Sequence, residues 1–159
     1  MNNLLNTILK DTFSVNLLKH RLRILKSNLL KTFFGSNQEE LSLCAEDINW
    51  LKSIPLPLYQ QFDKDNVYQI FSNLEMEISK LKVLTIYLTF EPDEITLSQI
   101  GAFARKTFDP TLLLDIKLNP NLIAGTAFAW KGIYKDYSLH AKIEEKKPEI
   151  LEGFKRFLR

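Results

Sequence analysis

Asp136, Ser138 and His140 stand at alternate positions and supply the residue types of an acid, a nucleophile and a base. If a strand extends through them, they share one of its sides. Same-side neighbours on a strand lie ~6.6 Å apart, whereas a nucleophile and its base must approach within ~2.6 to 3.2 Å. Three residues in a single line therefore do not make a working triad, and strand-end hydrogen bonding or helix capping by Asp136 or Ser138 is the expected role. His20 and His140 are the only histidines, and the one cysteine, Cys44, lies elsewhere in the sequence, so no metal-ligand spacing exists. Cys44 falls on an apolar helical stripe and reads as a small buried hydrophobe. Gly125, Gly132 and Gly153 are isolated, which leaves no glycine-rich cradle for phosphate. The expectation is a chain without catalytic residues, cofactor, metal or small-molecule ligand.

Residues suited to contact with another protein are easier to find. Trp50 and Trp130 are of the type that anchors interfaces, although core packing is the expected role for each. In the last segment Lys142, Lys146, Lys147, Lys155, Arg156 and Arg159 accompany Glu144, Glu145, Glu149 and Glu152. This mixture reads first as a solvated helix face with i,i+4 pairs and second as a docking surface. Ile143, Ile150, Leu151, Phe154 and Leu158 form the apolar side of that segment and exceed what one short helix easily buries, which makes them candidate partner contacts.

The elements that must position these residues follow from hydrophobic period. Leu4, Leu5, Ile8, Leu18, Leu22, Leu25, Leu29 and Phe33 repeat at three and four, which predicts helix over this stretch with a possible interruption near Phe13 to Asn16. Gly35 stops it, Ser36 or Asn37 caps the next start, and Glu39 and Glu40 favour that first turn. A second stripe, Leu41, Cys44, Ala45, Ile48 and Leu51, runs to Ile54 and Pro55. Pro55 and Pro57 form a rigid connector. Asp63 or Asp65 caps a third stripe of Val67, Ile70, Phe71, Leu74, Ile78 and Leu81. Residues 1–81 are thus expected to form a bundle of three or four antiparallel helices.

At Lys82 the period changes to two. Val83 to Phe90 predicts a strand, Pro92, Asp93 and Glu94 a helix start, and Leu97, Ile100, Phe103 and Ala104 the buried stripe of that helix. A second strand follows over Leu112 to Leu118, ended by the turn Asn119, Pro120, Asn121. A third runs from about Thr126 through Tyr134, with a bend or hairpin open at Lys131 and Gly132. The closing helix begins near Leu139 and should be interrupted at Lys147 to Pro148, because an interior proline removes a donor and clashes with the preceding turn. The fold class is α+β: a helical bundle over 1–81, then a small α/β domain over 82–159 with a short sheet and two helices.

Composition narrows the function classes. A 45% hydrophobic, 25% charged chain with 5 Gly and 6 Pro has the material for a core. Its apolar runs fall far short of the ~20 residues of a membrane-spanning helix. The start carries no charged segment, apolar core and small-residue cleavage site in series, so no secretory signal is expected, although a basic N-terminal stretch is also a transit-peptide trait. Residues 1–35 hold six Lys or Arg against Asp11 alone, and residues 36–81 hold three Lys against eight acids. Two oppositely charged faces within one helical unit are expected, and nucleic-acid binding is not, because no basic stripe is interleaved with stacking aromatics.

From Lys82 onward the order of elements, together with Asn119, Pro120, Leu122, Ile123, Ala124, Gly125, Asp136 and Ser138, resembles the delta subunit family of F-type ATP synthases. In that family a strand, helix and strand lead to a turn ending Leu-Ile-Gly-Gly, then to a strand pair and an Asp-x-Ser step into a terminal helix. Leu122, Ile123 and Gly125 match that turn, Ala124 replaces its first glycine, and Asp136 and Ser138 match the Asp-x-Ser pair. The family's N-terminal half is a six-helix bundle, longer than the 81 residues that precede the first strand here. The resemblance implies a non-catalytic stator adaptor at the cytoplasmic side of the bacterial inner membrane, peripheral to it. Residues 1–81 would bind the head through the alpha subunit N-terminus, and residues 82–159 the b subunit of the peripheral stalk. Such a subunit serves ATP synthesis and proton transport mechanically. The other reading open at this point is a different helical-plus-α/β interaction module, such as another rotary ATPase stalk component or a secretion adaptor.

Overall fold

The computed structural model describes residues 2–35 and 43–157. Five helices open the chain: α1 (Asn2–Lys10), α2 (Val15–Phe34), α3 (Ala45–Ser53), the single turn α4 (Leu56–Tyr59) and α5 (Val67–Ser79). The apolar repeat from Leu4 to Phe33 is split between two of them. Thr12 donates its hydroxyl to the Ile8 carbonyl, and Ser14 caps α2 by accepting from the Leu17 N–H at 3.2 Å. Gly35 ends α2 in the left-handed conformation, with its N–H on the Lys31 carbonyl at 3.0 Å. The expected caps at Ser36 and Asn37, the acids Glu39 and Glu40, and Leu41 lie outside the described residues. The helices bury one cluster that includes Leu4, Ile8, Leu18, Leu25, Phe71 and Leu74.

Cys44 corrects the sequence reading. It is exposed, and it sits before α3 with its backbone N–H on the Asp47 carboxylate at 3.2 Å. Ala45 and Ile48, expected on the same stripe, are exposed as well, and of its described members only Leu51 is buried, so spacing alone misplaced this face. Trp50 is partly buried against the helical core, with the Arg21 guanidinium 5.1 Å from its ring centre.

The second half supplies a four-stranded mixed sheet in the order β2-β1-β3-β4: β1 (Val83–Leu88), β2 (Leu113–Leu118), β3 (Thr126–Trp130) and β4 (Ile133–Asp136). β1 and β2 are parallel and joined through α6 (Glu94–Thr107), while β3 runs antiparallel to β1 and to β4. Asp93 caps α6 by accepting from the Thr96 N–H at 2.8 Å. The open choice between one bent strand and a hairpin resolves as a hairpin. Lys131 and Gly132 take φ 49° and 79°, the pair of positive values that a two-residue turn between right-twisted strands demands.

One face of the sheet packs Leu84, Ile86, Leu88 and Leu114 under Leu97, Ile100 and Ala104 of α6. Phe103 was expected among the latter, yet it is 69% exposed. The side of α6 turned inward carries the buried Gly101 beside Ala104, and a Cβ built on Gly101 would stand 2.5 Å from Phe13. The missing side chain lets the helix lie against the N-terminal segment, which rotates Phe103 outward.

The halves are not joined by a free linker. Leu113 of β2 is 1% exposed and belongs to the helical core, and the Leu114 N–H bonds the Phe13 carbonyl at 2.8 Å. Arg105 of α6 donates to the carbonyls of Leu9 at 2.7 Å, Thr12 at 2.6 Å and Leu112 at 3.0 Å, and lies over the Phe13 ring. The change of period at Lys82 marks where an element starts inside one packed body.

Candidate functional site

The residues singled out between Leu122 and Ser138 converge on one place, the root of the last helix, α7 (Leu139–Phe157). Asn119 starts a 3-10 turn (Pro120–Leu122) that buries Leu122. The chain then makes a three-residue turn in which the Ala124 N–H reaches the Leu122 carbonyl at 2.7 Å, with Ile123 at φ 66° and ψ −56°. A β-branched residue in that region costs on the order of 1–3 kcal/mol. It is held there from the far side. The Leu139 N–H bonds the Ala124 carbonyl at 2.8 Å, and a Cβ on Gly125, itself at φ 84°, would stand 2.8 Å from the Tyr137 carbonyl oxygen. Only glycine permits both that conformation and that approach.

Asp136 and Ser138 close the arrangement as caps. The Asp136 carboxylate accepts from the Ser138 N–H at 2.8 Å, and the bonds from Ser138 hold its carboxyl below the usual range. The Ser138 hydroxyl is fully buried and accepts from the Ala141 N–H at 3.2 Å, so its oxygen is spent on starting α7. His140 sits inside the first turn of that helix. Among the described residues no group of three or more His, Cys, Asp or Glu could hold a metal ion. No described helix is long and apolar enough to cross a membrane.

From this root α7 runs 19 residues with no buried side chain. Its main contact with the rest of the chain is the 3-10 turn at its base. The expected break at Pro148 is absent, since the helix is continuous through it. At ~100° per residue Pro148 falls on the side opposite the apolar residues. There the Glu144 carbonyl that it deprives of a partner is open to water, which lowers the usual penalty of an interior proline. Lys147 with Glu144 and Arg156 with Glu152 form exposed pairs within the helix.

The candidate contacts Ile143, Ile150, Leu151 and Phe154 are all exposed, Phe154 by 62%, and Leu158 lies outside the described residues. The structure adds two residues that the list of contacts drawn from the sequence omitted, Leu139 and Phe157, the latter 89% exposed. Leu139, Ile143, Ile150, Phe154 and Phe157 occupy a sector only ~60° wide, with Leu151 on its flank. Leu139 stands four before Ile143 and Phe157 three after Phe154, so extending the three-and-four count to both ends of the helix would have found them. Trp130 packs with the sheet core and lies 5.4 Å from Phe108. No family model and no curated protein matches the chain.

Proposed function

We propose that this chain is a non-catalytic stator adaptor of an F-type ATP synthase, joining the catalytic head to the peripheral stalk at the cytoplasmic face of a bacterial inner membrane. The observation that carries the proposal is α7, a 19-residue helix with an apolar row along one side and no buried side chain. A helix of that length is marginal alone in water, and an interior proline makes it more so. Its apolar row gains stability chiefly by being covered. The residues that carry the resemblance to the delta subunit family, Leu122 to Gly125 with Asp136 and Ser138, are the ones that clamp the root of this helix.

A mechanical role also suits the joint between the halves. Arg105, Phe13 and Leu113 couple the helical core to the sheet, so a load taken by α7 passes into the helices through packed contacts instead of a hinge. In this reading residues 1–81 meet the alpha subunit N-terminus and α7 meets the stalk b subunit.

The test uses the full chain with the soluble part of the b subunit from the same organism. Phe154→Asp should weaken that binding by at least ~2 kcal/mol, about thirtyfold, because it sets a charge in a desolvated contact. Head binding and the thermal midpoint should hold, since Phe154 supports nothing within the chain. Equal stalk binding by the variant, or no stalk binding by the wild type, would remove the assignment.

A further inference from the structure

The apolar row of α7 has a charge in its middle. At ~100° per residue Lys146 falls within ~20° of one edge of the sector shared by Leu139, Ile143, Ile150, Phe154 and Phe157, between Ile143 and Ile150 along the row, while Lys147, paired with Glu144, falls within ~20° of the other edge. Lys142 lies on the same flank as Lys146. Neither lysine makes an ion pair among the described residues, whereas Lys147 and Arg156 are paired within the helix. The apolar positions recur at four, three, four, four and three once Lys146 is counted, which is the spacing of a narrow helix-to-helix seam. A single charged residue in such a seam discriminates among partners, because burying it opposite an apolar or like-charged group is unfavourable.

We infer that the seam of α7 receives one amphipathic helix of another protein, bearing a carboxylate at the seam position that faces Lys146 and acidic residues along the flank that faces Lys142. This rests on the adaptor reading only in naming the stalk as the source of that helix. Charge argues against other occupants. A second copy aligned in parallel would set Lys146 against Lys146. An anionic membrane would meet Glu144, Glu145, Glu149 and Glu152 interleaved with the five basic residues of the helix, where surface-binding helices carry mainly Lys and Arg. Pro148 sits opposite the seam, so the bend it favours is concave toward the occupant.

The experiment measures binding of the full chain to two synthetic amphipathic helical peptides that share one Leu/Ile seam. One carries Glu at the central seam position and along one flank; the other carries Lys at the same positions. The wild type should bind the Glu peptide at least ~10-fold more tightly at low salt, with the margin shrinking as salt screens the charges. Lys146→Glu should reverse the preference, and Lys146→Leu should abolish it while retaining binding. Equal affinity for both peptides, a preference unchanged by Lys146→Glu, self-association of the wild type in sedimentation that excludes the peptides, or tighter binding to phosphatidylglycerol vesicles would each overturn the inference. The two proposals fail separately. If the b subunit does not bind but the Glu peptide is selected, the adaptor reading falls and the seam assignment stands. If the b subunit binds wild type and Lys146→Glu equally, the reverse holds.

Discussion

Asp109 shows how much of this fold hangs on single side chains at element ends. Its carboxylate takes a bond from the Lys82 ammonium, and from the Thr111 N–H at 3.0 Å and hydroxyl at 2.8 Å. Together these hold the Asp109 carboxyl well below the carboxylate range, Lys82 foremost. They fasten the start of β1 to the loop that leads into β2. Because the folded-state value is depressed, the stabilisation is full above the unfolded carboxyl value of about 4 and is lost as pH falls below it. Asp109→Asn should therefore be less stable than wild type at pH 7 in urea titrations. The gap should narrow steadily as pH falls from about 4 toward 2. A gap of constant size over that range would show that Asp109 acts through shape alone.

At the scale of elements, α7 and the turn beneath it divide the labour. The turn is rigid and strained, while the helix makes few contacts beyond it. Pro148→Ala should slow amide exchange across residues 142–157 by restoring a backbone donor, yet leave the global unfolding free energy within about 0.5 kcal/mol. A global change well beyond that would mean that the helix is part of the cooperative core.

Much of this element order was legible beforehand. The switch of period at Lys82, the helix start at Pro92 to Glu94 and the cap at Ser138 are local signals that tertiary packing did not override, while Lys131 and Gly132 marked a turn but left bend and hairpin open. What could not be read was relational. Phe103 faces outward because Gly101 meets Phe13, almost ninety positions away in the chain, and no periodicity within α6 records that contact. Cys44 has the apolar character of its neighbours but occupies the turn before the helix begins. Ile123 is not a residue type that announces positive φ, so the strained turn emerges only from the packing around it.

For the whole molecule the decisive contact is Arg105. It carries no carboxylate partner among the described residues, and burial pulls its pKa down from the ordinary value, though a guanidinium remains charged at neutral pH. Its donors go to three backbone carbonyls drawn from both halves. Arg105→Met should cost at least about 2 kcal/mol of global stability, because those carbonyls lose charged donors in a partly buried seam. Arg105→Lys should recover little of it, since one ammonium cannot reproduce the forked geometry. A loss of less than about 0.5 kcal/mol would show that apolar packing by Phe13 and Leu113 suffices to join the halves.

The same joint underlies the functional account, which requires two binding halves held in one rigid body. The most direct measurement is mass photometry of the full chain mixed with the isolated catalytic head and the soluble part of the b subunit. The account predicts a species containing head, chain and stalk together, absent when the chain is omitted and lost with Phe154→Asp while the head-bound species persists. Head and stalk that fail to bind the chain, or that compete for it, would contradict the account.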